Sequence, residues 1–130
     1  MAPIPAVLTA TIMLSLVPAW LVAQPARKDE HRPWSRAHVV LAAGFAMALW
    51  VDAAQTRNAM ERGYREANPI LGPHPSSGQI NTYSVIAGLT VIGVAAAVPP
   101  RVRPWLLAAA FAVEAVTIAG TVHQGIAITF

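Results

Sequence analysis

The sequence predicts an all-α, polytopic membrane protein: a four-transmembrane-helix bundle with a proline-rich loop between its second and third helices. Three observations predict it. Apolar residues make up 55% of the 130 residues and charged residues only 12%, against roughly 25% charged residues in a soluble domain. Four apolar runs are separated by polar or proline-bearing stretches, and each run is close to the ~20 residues a helix needs to cross hydrocarbon. The basic residues gather in short clusters between the runs, a pattern that membrane topology explains and nucleic acid binding does not. The length allows a single transmembrane domain, residues 1–130. With no cysteine, disulfide frameworks, thiolate nucleophiles and cysteine-ligated zinc are excluded.

Segment one spans about residues 4–22 and has no charged side chain. Its alternative reading is a cleaved signal peptide with Leu21-Val22-Ala23 before the cut, but the basic start of such peptides is missing. Segment two spans about 37–59, with Ser35 placed to cap its start and Gly63 to stop its end. Segment three spans about 80–98 and is closed by Pro99 and Pro100. Segment four spans about 105–128, with Pro104 at the first turn, where a missing N–H costs nothing.

Positive charge sets the direction of the chain. Arg27, Lys28, Arg32, Arg36, Arg101 and Arg103 fall on one side of a four-span bundle, against Arg57, Arg62 and Arg65 on the other, six to three. The expected orientation in a bacterial inner (plasma) membrane therefore puts loops 24–36 and 99–104 in the cytoplasm and both termini outside.

The helical faces carry two kinds of signal. Small residues recur at i, i+4 in Gly44/Ala48, Ser84/Gly88 and Ala115/Ala119, a spacing that lets helix backbones approach in lipid. The polar residues are more specific. Asp52, Gln55, Thr56 and Ala59 share one face of segment two, and the stripe extends back to Ala48, Phe45 and His38. Glu114, Thr117, Thr121 and Gly125 share a face of segment four by the same spacing. Glu114 lies about ten residues into its segment, ~15 Å along the helix axis, at a depth that Asp52 can match. His123, nine residues beyond Glu114, projects roughly 180° away at ~100° per residue. Ionised carboxylates are costly in hydrocarbon, so Asp52 and Glu114 are expected to face the bundle interior or a water-filled cavity. They serve there either as hydrogen-bonded glue between helices, with Gln55, Thr56 and Asn81 as partners, or as an ion, proton or substrate site.

The connection 63–79 contains Pro69, Pro73 and Pro75, too many for a helix. Asn68 before Pro69 favours a turn, and Ile70 and Leu71 are apolar enough to plug back into the bundle. Glu66, Asn68, Pro69, His74, Asn81 and Tyr83 would form the outer rim. The run Asp52-x-x-Gln55-Thr56, then Glu66-x-Asn68-Pro69-Ile70-Leu71-Gly72, His74-Pro75-Ser76 and Asn81-x-Tyr83 resembles a pattern in small bacterial and phage multi-span membrane proteins. Glu114 with the trailing His123-Gln124-Gly125-Ile126 is similar to their last helix, although Asn is more usual near the Gln124 position. The resemblance covers about residues 52–126 and implies a multi-span fold, with no activity attached.

Four functions compete at this level. The leading expectation is a non-enzymatic accessory, assembly or partner-binding subunit, whose partners are the lipid bilayer and another membrane protein or a second copy. Next comes a proton- or ion-coupled transporter using Asp52 and Glu114. Small multidrug-resistance transporters are architecturally similar in length, span number and buried Glu, but theirs lies in the first segment. A membrane-embedded metal site or enzyme could draw on Asp52, Glu66, Glu114 and the histidines, yet no H-E-x-x-H or G-x-S-x-G motif is present. The fourth is a phage holin-like lysis protein, for which a densely charged tail is expected where the chain reads Ile126-Ala127-Ile128-Thr129-Phe130. The residues imply no particular cofactor.

Overall fold

A computed structural model describes residues 33–66 and 68–126. Segment one, the first part of loop 24–36 and residues 127–130 lie outside the described residues. Among the described residues the chain forms three helices: α1 (Arg36–Glu61), α2 (Ser77–Ala97) and α3 (Arg103–His123). All three are long and apolar enough to cross a membrane by length and composition. They replace the expected limits 37–59, 80–98 and 105–128; the last moves most, because the helix stops before Gly125.

Local chemistry fixes these limits. Ser35 caps α1: its Oγ accepts from the His38 N–H at 3.3 Å, and His38 Nδ1 accepts from the Ser35 N–H at 3.2 Å. This is a capping box with histidine in the place usually held by Glu or Gln. Ser76 caps α2 in the same reciprocal way with Gln79. Pro104 occupies the first turn of α3, where proline needs no N–H partner.

The ends of α1 and α3 share one device. Gly63 and Gly125 both take φ +81°. Gly63 N–H donates to the Met60 carbonyl and Tyr64 N–H to the Ala59 carbonyl; Gly125 N–H donates to Val122 and Ile126 N–H to Thr121. Each is a Schellman motif, which uses a left-handed residue to satisfy the last carbonyls. Gly125 thus turns the chain off the helix, and the polar stripe of α3 ends at Thr121.

Packing orders the bundle. α1 packs most extensively on α3, less on α2. Phe45 and Leu49 cluster with Ala110, with Val91 and Ile92 against them. Near the other end Ala59 clusters with Ile126, with Tyr64 and Tyr83 against them. These pairings make α1 and α3 parallel and α2 antiparallel to both. Gly88 lets α2 lie close to α1, since an added Cβ would stand 3.0 Å from Leu49 Cδ2. Large apolar side chains turn outward all around, including Met47, Trp50, Ile86, Leu89, Trp105 and Val116, an outer surface suited to lipid. Ala115 and Ala119 also face outward. Their small-residue step is therefore not a contact among these three helices, because Glu114 and Thr117 take the inward face.

Candidate functional site

The two polar stripes meet along the α1–α3 seam. Asp52, Gln55 and Thr56 on α1 and Glu114, Thr117 and Thr121 on α3 are all buried, since the helical spacing of each set presents them to the facing helix. His38, Phe45 and Ala48 continue the α1 stripe and are buried as well. The layer is bounded along the seam by the Phe45–Ala110 cluster on one side and the Ala59–Ile126 cluster on the other.

Two acceptors of this layer are unsatisfied. Asp52 Oδ1 and Gln55 Oε1 are buried with no hydrogen-bond donor. The Thr121 hydroxyl donates to the Thr117 carbonyl at 3.0 Å within its own helix. The electrostatic neighbour of Asp52 is Glu66, and that of Glu114 is Asp52. Asp52 therefore lies within electrostatic reach of both other carboxyls. A buried acceptor without a donor costs about 1–3 kcal/mol, so two such atoms beside three acids mark a place where the sequence sacrifices stability.

The loop between α1 and α2 brings Glu66 into this neighbourhood. Glu66 and Asn68 are buried. Asn68 N–H donates to Glu66 Oε1 at 2.8 Å, and Ile70 N–H donates to Asn68 Oδ1 at 3.0 Å, an Asx-type turn. Glu66 N–H donates to the Pro73 carbonyl at 3.1 Å, closing the loop on itself. The Asn68 Nδ2 is buried without a partner. No family model, curated protein or solved structure matches this chain.

Several sequence expectations separate here. Ile70 does not plug into the bundle; it is 62% exposed, because the turn at Asn68–Pro69 places it at the loop tip. Pro69 and His74 are exposed and Tyr83 is half-buried. Asn81 does not join the carboxyl network; its Oδ1 accepts from Arg57 Nη1 at 2.6 Å across α1 and α2. His123 is exposed while Glu114 is buried, as the helical offset requires. Among the described residues no three histidine or acidic side chains converge so as to hold a metal ion.

Arg103 was legible only as a topological charge, yet it is buried at 5% exposure. Its Nε donates to the Ala95 carbonyl at 2.7 Å and its Nη2 to Ala96 at 3.4 Å. Its guanidinium lies 5.0 Å from the Trp34 ring centroid. It thus caps the C-terminal end of α2 with a cation and ties that end to the start of α1. The signal available in the sequence was the helix break at Pro99-Pro100, which leaves carbonyls needing a donor nearby.

Proposed function

We propose that this chain is a small four-span protein of a bacterial inner membrane that binds and releases a proton or another monovalent cation at Asp52 and Glu114, as a proton- or ion-coupled carrier. One observation carries the reading: Asp52 Oδ1 and Gln55 Oε1 are buried without a donor, close to the Glu114 and Glu66 carboxyls. In a low-dielectric interior such a layer needs protons or a bound cation to neutralise it. A layer built only as glue would pair each acceptor with a donor. Segment 4–22 supplies the fourth span. With loops 24–36 and 99–104 cytoplasmic, the proline-rich loop and both termini face outward, and Glu66 stands at the outer approach to Asp52.

The test is a proton-jump measurement on proteoliposomes adsorbed to a solid-supported membrane. Wild type gives a transient charge displacement on a pH step, which Glu114→Gln and Asp52→Asn abolish. Currents equal to those of Glu114→Gln and of empty liposomes would overturn the reading.

A second reading, a partner-docking subunit, is favoured by one observation. α2 buries only Ile80 and Ala95 and leaves Val85, Ile86 and Leu89 outward. Mild-detergent purification that retains a stoichiometric second membrane protein supports it; a lone chain counts against it.

A further inference from the structure

On a different face of α1 from the carboxyls, a groove of about 650 Å³ runs between α1 and α2. Phe45 lies at one end of its α1 lining, Leu49, Val85 and Leu89 form its walls, and Arg57 and Asn81 sit at the other end. Its walls are thus apolar and one end carries a cation. The lining of α1 runs from Phe45 to Arg57, ~18 Å at 1.5 Å per residue. That length matches one leaflet of a hydrocarbon core, ~15 Å, rather than its full ~30 Å. Arg57 spends one donor on Asn81 at 2.6 Å, a bond that fixes the guanidinium at the groove mouth. A guanidinium has five N–H donors in a fork that fits phosphate oxygens.

We infer that this groove is a binding site for a net-anionic phospholipid, with an acyl chain between α1 and α2 and the headgroup phosphate on Arg57. Charge complementarity selects this occupant. Segment 4–22 is the competing occupant within the chain, but it has no charged side chain to answer Arg57. It would also need a groove crossing both leaflets. A second copy brings no anion of its own through the same groove, since that surface carries Arg57 again.

The experiment uses the full chain, released from nanodiscs holding equal phosphatidylglycerol and phosphatidylcholine and read by native mass spectrometry. Wild type retains one phosphatidylglycerol in preference to phosphatidylcholine. Arg57→Gln lowers that preference about fivefold, the effect of one basic residue on an anionic lipid, and Arg57→Lys keeps most of it. Val85→Trp, an outward position that fills the groove, lowers retention of both lipids. Equal retention by wild type, Arg57→Gln and Val85→Trp overturns the inference. The absence of native cysteine allows a second arm. An intramolecular crosslink between Thr11→Cys and Ser84→Cys would give the groove to segment 4–22, and a Ser84→Cys dimer would give it to a second copy; either result overturns the lipid site.

Discussion

Replacing Asp52 by asparagine should make the folded protein more stable while removing the proposed ion linkage. The size of the gain follows from the buried layer. Asp52 Oδ1 and Gln55 Oε1 each lack a donor, and the neighbouring groups are the Glu66 and Glu114 carboxyls. An asparagine amide keeps the shape and offers two N–H donors among these acceptors. Each orphan acceptor costs about 1–3 kcal/mol. Side-chain rearrangement recovers only part of that, so the expected gain is about 1–2 kcal/mol. For a chain of 130 residues each kcal/mol moves the midpoint by roughly 4 °C. The assay is thermal unfolding in detergent, followed by the fluorescence of the four tryptophans. Glu114→Gln should give a gain of the same sign, and the double variant less than the sum, because the two carboxyls interact directly. A loss of about 1 kcal/mol or more in Asp52→Asn, the size of one satisfied hydrogen bond, would contradict the orphan-acceptor account. It would mean that the carboxyl is a satisfied member of a structural network.

The remaining substitutions test the frame that holds the layer. Arg103→Ala removes the bonds to Ala95 and Ala96 and the Trp34 contact, and should cost about 2–4 kcal/mol. Arg103→Lys should recover less than half, since lysine lacks the planar fork; denaturant unfolding with Trp34 fluorescence reads both. Gly125→Ala forces a side chain into φ +81° and should cost about 1–2 kcal/mol, with Gly63→Ala similar. Circular dichroism melts check the pair.

How much of this was legible in the sequence differs by residue. Ser35, Gly63 and Pro104 announced their helix limits because capping and left-handed turns depend on one residue's own chemistry. The stripes of Asp52 and Glu114 were legible because helical periodicity puts polar residues on one face, and hydrocarbon admits only an inward direction for them. Asn81 misled because its helix position was right but its partner depended on the groove side of α2, where Arg57 arrives from α1. Ala115 and Ala119 misled for the related reason that a small-residue spacing names a possible contact without naming the face that is used. Arg103 was missed because its role is tertiary: the carbonyls of Ala95 and Ala96 become its partners only after the turn at Pro99-Pro100 folds back. Ile70 points outward because the Asn68 side chain, two residues before it, reverses the loop.

The two ends of the layer are closed differently. Between the carboxyls and the end that holds Arg36 and Arg103 stands the Phe45–Leu49–Ala110 cluster, with Val91 and Ile92 packed on it. Toward the loop side the closure is thinner: Ala59 and Ile126, with Tyr64, Met60 and Tyr83 around them. Ile126 is fully buried, yet it belongs to no helix and is held by the Gly125 turn and one bond to the Thr121 carbonyl at 3.2 Å. Such a residue can withdraw without unwinding a transmembrane helix, whereas Phe45 cannot. Ile126→Ala should therefore raise the rate at which a water-soluble carbodiimide labels Asp52 and Glu114, while lowering stability by about 2–4 kcal/mol. Phe45→Ala is the control, with a similar or larger cost but little added labelling. Equal acceleration by both would mean that labelling follows loss of stability and not the opening of a particular end. Acceleration by Phe45→Ala alone would place the entrance at the end that holds Arg36 and Arg103. Selective acceleration by Ile126→Ala would make the Gly125 turn the hinge through which the buried acids meet water on the loop side.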